Sequence, residues 1–112
     1  MRNEIWFAHA VYTGGDIWVF YGKLKDGTFF LMDSDGDAML LNADPSDFDE
    51  SLYGSWQKSH LIRELTGRER TAFRDDVLDK AIGDGGFTEY DAKRHRENFA
   101  DIDHYEFEEN RL

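Results

Sequence analysis

The first forty residues carry four apolar and aromatic runs separated by glycine-containing turns. They read IWFAHAVYT over 5–13, IWVFYGKL over 17–24, TFFLM over 28–32 and AMLLN over 38–42. Between them stand Gly14-Gly15, Lys25-Asp26-Gly27 and Asp33-Ser34-Asp35-Gly36-Asp37. Gly-Gly and Asp-Gly between apolar runs signal hairpins, because the turns that match strand twist need residues tolerant of positive φ. Three successive hairpins predict a four-stranded antiparallel meander over residues 1–43.

After residue 43 the period changes. Asp44 is placed to cap a short helical piece, with Pro45 at the first helical position, where its missing N–H costs nothing. Ser55 is a second candidate cap, with Trp56, Leu61, Ile62 and Leu65 as the apolar side of a helix. Thr66-Gly67-Arg68-Glu69 matches a capping box. The helix after it carries Phe73, Val77 and Ala81, with Leu78 and Ile82 alongside, and Gly83 is placed to end it. Thr88, with Asp91 three residues on, opens a last helix whose apolar side is Ala92, His95, Phe99 and Ile102. The expected fold is α+β: a four-stranded antiparallel β-meander followed by three to four α-helices packed on the sheet. One domain spans 1–112, with the helical part at 44–102 and an acidic tail at 103–112.

The first hairpin has an unusual pattern. If Gly14-Gly15 forms a two-residue turn, Thr13 faces Asp16. One face then holds Ile5, Phe7, His9, Val11, Trp18, Phe20 and Leu24, and the other holds Trp6, Ala8, Ala10, Tyr12, Ile17, Val19 and Tyr21. Both faces are apolar, whereas a sheet with one solvated face alternates apolar with polar. Either helices cover both faces or one face meets a partner. Trp6, Tyr12 and Tyr21 are the expected markers of a self-dimer face.

Composition supports a folded domain: 15% of residues are aromatic, with nine Phe, five Tyr and three Trp to fill a modest core. The absence of Cys excludes disulfides and thiolate ligands. No apolar run approaches membrane-spanning length, and the N-terminal apolar stretch is too short for a signal peptide. The expected location is the cytoplasm.

Charge changes the picture more. The net charge is −11, and residues 26–57 hold eight acids (Asp26, Asp33, Asp35, Asp37, Asp44, Asp47, Asp49, Glu50) without one Lys or Arg. Residues 101–110 hold five more acids and no base, so the rest of the chain sums to +2, from eleven acids and thirteen bases. Such a balance disfavours direct binding to nucleic acid or an anionic membrane and favours basic partners. A surface built only for solubility intersperses both signs.

Candidate chemistry is sparse. Asp33, Asp35 and Asp37 alternate as in an EF-hand start, but Gly36 stands at the fourth loop position rather than the sixth and Asp44 replaces the closing Glu. A hairpin loop is the better reading, and a divalent-cation module the weaker one. Asp91 and His95 share a helix face, His104 follows Asp103, and His9 lies between alanines, yet no HExxH or close His pair occurs. His95 reads as a core histidine, and His9 as a core or interface residue with a satisfied hydrogen bond. Neither GxSxG nor a phosphate loop is present. We therefore expect no catalytic residues, no metal site and no cofactor.

What remains is interaction. Asp33, Asp35, Asp37, Asp47, Asp49 and Glu50 supply charge, with Tyr53 and Trp56 as aromatic anchors. Carboxylates two apart on a strand lie roughly 6.6 Å apart, a spacing able to imitate phosphates. The profile is that of anti-CRISPR, anti-restriction and nuclease-immunity proteins in character, without any family motif. The expected function is inhibition of a nucleic-acid-handling enzyme by occupation of its basic groove. The alternative is a homodimeric accessory or ligand-binding protein using the second sheet face.

Overall fold

The computed structural model describes residues 4–15, 17–47 and 53–109. Five antiparallel strands form one sheet in chain order: β1 (Ile5–Gly14), β2 (Ile17–Leu24), β3 (Phe29–Met32), β4 (Ala38–Leu41) and β5 (Leu61–Glu64). A 3-10 turn (Pro45–Asp47) and helix α1 (Tyr53–His60) precede β5, and α2 (Gly67–Ala81) and α3 (Glu89–Glu109) follow it. The α+β class and the meander stand as expected, each strand lying within a residue or so of its apolar run.

Local chemistry explains most boundaries. The Asp26 carboxylate accepts the Thr28 N–H at 2.9 Å, which fixes the second turn and holds its carboxyl below the usual range. Asp44 accepts the Ser46 N–H at 2.9 Å, and Pro45 opens the 3-10 turn. At the start of α3, Asp91 accepts the Thr88 N–H at 3.0 Å while Thr88 Oγ1 accepts the Asp91 N–H at 3.2 Å. These bonds to Thr88 lower the pKa of Asp91.

Four expectations need correction. Leu61, Ile62 and Leu65 do not extend a helix: Leu61–Glu64 is the fifth strand, paired to β4 through Met39–Glu64 and Leu40–Arg63. The Asn42 N–H donates to His60 O and the Leu65 N–H to Ala38 O, so the segment satisfies the backbone edge that β4 would otherwise expose. No capping box forms at Thr66. Gly67 takes a φ of +59°, and Glu69 receives two hydrogen bonds from Arg63, at 2.6 and 2.9 Å, instead of reaching back. The backbone of residues 103–109 continues α3 rather than forming a tail, since no Gly or Pro follows Gly86 to break it.

The fourth correction is the register of the first hairpin. Gly14, not Thr13, lies nearest the turn, opposite Ile17, and an irregularity between Tyr12 and Gly14 shifts the ladder. Ala10 therefore faces Phe20, Val11 faces Val19 and Tyr12 faces Trp18. A one-residue slip moves every side chain of a strand to the opposite face. Ala8 and Ala10 thus join Trp18, Phe20 and Leu24, while Phe7, His9 and Val11 join Lys23, Tyr21 and Val19.

The two faces are covered differently. On the first, α2 and α3 bring Phe73, Val77, Leu78, Ala81, Ala92 and Phe99 onto Phe20, Phe30, Met32 and Leu40 in one continuous core. Phe87, in the α2–α3 loop, sets its ring edge-on to Trp18 and Phe20 at 5.2 and 5.1 Å. On the second, the 3-10 turn packs on β2 and β3, and Trp56 of α1 helps bury Leu31, Met39 and Leu41. Val19 and Tyr21 of β2 pack partly against this cluster, and among the described residues Trp6, Val11 and Ile17 of β1 and β2 stay exposed on this face.

Candidate functional site

The loop Asp33–Asp37 is built as a turn. The Asp33 N–H donates to Asp37 O at 3.0 Å and the Gly36 N–H to Asp33 O at 3.1 Å. The Asp33 carboxylate accepts the N–H groups of Asp35 and Asp37, both at 3.0 Å. Burial pushes its pKa up, the two N–H donors oppose this, and the Asp37 and Asp35 charges add to the upward shift. Gly36 has a φ of +85°, and a Cβ there would sit 2.8 Å from Arg74 and 3.0 Å from Phe99. The tip of the loop is thus docked on α2 and α3. Arg74, 3% exposed, holds its guanidinium 5.0 Å from the Phe99 ring centre. Among the described residues no three His, Asp or Glu side chains converge as metal ligands.

Of the expected partner-binding residues, Asp33 is consumed by the turn, whereas Asp35 and Asp37 are exposed. Asp37 lies 3.7 Å from Arg70. Asp47 ends the 3-10 turn, and Asp49 and Glu50 lie outside the described residues. Tyr53 begins α1; its side chain is likewise outside the described set. Trp56 is half-buried over the second core cluster, with its ring 5.0 Å from that of His60, so it covers the sheet more than it faces outward. The structure adds a carboxylate that the sequence reading missed. Glu64, at the end of β5, joins Asp33, Asp37, Arg70 and Gln57 around a pocket of about 240 Å³ walled by Ala38, Met39 and Leu65. Local spacing places Glu64 on a helix; only the pairing of β5 with β4 brings it to the pocket that Asp37 lines.

The second region is the half of the sheet that α1 leaves open. A ring row runs Phe7–His9–Tyr21, with centroids 5.1 Å apart at each step. Lys23 Nζ lies between the Trp6 and Phe29 rings, 5.7 and 5.1 Å from their centres. Trp6, Val11 and Ile17 are 59%, 43% and 46% exposed. Of the expected dimer-face markers, Trp6 and Tyr21 lie here. Tyr12 does not: the register shift places it on the helix-bearing face, its ring 5.2 Å from Trp18.

Two histidines complete the inventory. His9 Nδ1 bonds Asp84 Oδ1 at 3.1 Å, while Asp84 Oδ2 accepts the Ala10 N–H at 3.0 Å. Asp84 belongs to the Gly-rich α2–α3 loop, 75 residues from His9, and no local pattern announces that pairing. His95 is 4% exposed among the rings of Phe20, Phe87 and Phe99, at 5.6, 6.0 and 5.7 Å. Neither of its ring nitrogens has a hydrogen-bond partner among the described residues, and burial lowers its pKa against the pull of Asp91.

No family model, curated protein or solved structure matches the chain. No helix among the described residues is long and apolar enough to cross a membrane.

Proposed function

We propose that this protein is a non-catalytic interaction protein that binds the basic surface of a partner, with the groove of a nucleic-acid-handling enzyme as the target class. One observation carries this reading: the pocket where exposed Asp37, facing Arg70 at 3.7 Å, and Glu64 meet the apolar walls Met39 and Leu65. Lys and Arg pair an aliphatic stem with a cationic head, and such a pocket offers a counterpart to each. Exposed Asp35 lies on the same loop. The charge of −11 would steer a basic partner from a distance. In its small size and acidity the chain resembles inhibitors of the anti-CRISPR, anti-restriction and nuclease-immunity kinds, and the cytoplasm is where we place the encounter.

The test is affinity capture at low and high salt, followed by kinetics on the captured enzyme with Asp35→Lys/Asp37→Lys and Glu64→Lys. The expected result is slower association by roughly ten-fold, a flatter salt dependence and loss of competition with nucleic acid. Unchanged association for both variants would remove this surface from the function.

A further inference from the structure

We infer that the open β1–β2 half of the sheet is the interface of a two-fold dimer of this chain. A two-layer fold leaves one sheet face for water, and that face normally carries polar residues at alternate positions. Here the outward positions of β1 and β2 are Trp6, Phe7, His9, Val11, Ile17, Val19, Tyr21 and Lys23. Three of them are roughly half exposed, while Val19 and Tyr21 pack partly against the neighbouring cluster of Leu31, Met39 and Leu41 beside Trp56. An apolar patch of this kind marks an interface.

Charge selects the occupant. Strands β1 to β4 contain no Asp or Glu, although the chain carries 24 acids. A basic partner would find Lys23 on this patch and no carboxylate on the strands beneath it. A second copy brings the same apolar surface, with Lys23 its charged strand position and the Asp84 carboxylate held at its rim by His9, and a two-fold axis sets like against like. The approach must be face to face. The β1 edge is blocked at Ala10, whose N–H is taken by Asp84 and whose carbonyl oxygen lies 2.6 Å from where a Cβ of Gly85 would stand. Sheets packed in this way interdigitate side chains across roughly 10 Å.

This interface is independent of the acidic pocket, and salt separates the two. Two chains of −11 repel one another, so screening should strengthen the dimer, whereas it weakens capture of a basic partner.

The experiment is sedimentation of the full chain over a concentration series at low and high salt. The expected result is a species of twice 13.1 kDa whose association tightens as salt rises. Val11→Glu/Ile17→Glu and, separately, Trp6→Glu should weaken association by about ten-fold or more with unchanged circular dichroism. Tyr12→Glu, on the same hairpin but the other face, should leave it intact. A 13.1 kDa species throughout would overturn the proposal. So would a dimer that survives both the double variant and Trp6→Glu, or one that Tyr12→Glu alone dissolves.

Discussion

The two faces of the sheet are made from the same strands and nearly the same residue types, yet they behave differently. On one, Phe20, Phe30 and Met32 are sealed by α2, α3 and Phe87. On the other, Leu31 and Leu41 are equally sealed, but Val11 and Ile17 stand in solvent. Residue chemistry does not distinguish Val11 from Leu31. What distinguishes them is cover: Trp56 of α1 packs on the cluster of Leu31, Met39 and Leu41, whereas Val11 is 43% exposed. An apolar strand is a request for cover, and the chain answers it on one and a half faces.

The sharpest way to probe this contrast is to truncate one residue on each face. Phe20→Ala should cost about 3–5 kcal/mol in urea unfolding, because it opens a cavity bounded by Phe87 and His95. Val11→Ala should stay within about 0.5 kcal/mol in dilute protein, since its side chain meets water. Equal losses at both sites would mean that the second face is covered in the monomer, and the comparison would collapse.

A smaller effect is expected where the two layers are tied together. Asp84 holds the α2–α3 loop to the rim of β1 through Ala10 and His9. Asp84→Ala should cost about 1–3 kcal/mol by leaving the Ala10 N–H without its acceptor. Hydrogen exchange at Ala10 should accelerate, and exchange at the α1-covered Leu31 should not.

The smallest effect appears only in acid. The folded protein disfavours the His95 imidazolium because burial desolvates it, whereas the unfolded chain binds that proton near the ordinary value of 6.5. Below that pH the unfolded state takes up more protons, so stability falls as pH drops from 6.5 towards the depressed folded value. His95→Phe should remove this part of the acid sensitivity. The fall in Tm between neutral pH and about pH 5 should be shallower than in the parent, and an unchanged slope would show that other groups set it.

How much of this was legible beforehand depended on range. The β2–β3 turn, the Asp44-Pro45 start and the Thr88–Asp91 cap rest on bonds between residues two to three apart, and each could be placed from its neighbours. The buried stripe of Phe73, Val77, Leu78 and Ala81 followed from helical spacing alone. The candidate site was less legible. Asp33, Asp35 and Asp37 stood out as a group, but nothing local showed that Asp33 faces its own loop while Gly36 locks the tip onto Arg74 and Phe99.

By itself, then, the sequence determined the α+β class, the meander, the capped start of α3 at Thr88 and the segregation of acids from the first four strands, whereas α1 starts at Tyr53, two residues before the expected cap Ser55. Each of these depends on φ tolerance, side-chain capping or periodicity over a few residues. The tertiary structure alone decided that Leu61–Glu64 is a strand, that Tyr12 shares a face with Trp18, and that Glu64 meets Asp37 at a pocket. These outcomes turn on which backbone edge is free and on a one-residue shift in register. Both are settled by contacts between distant segments, which no local pattern encodes.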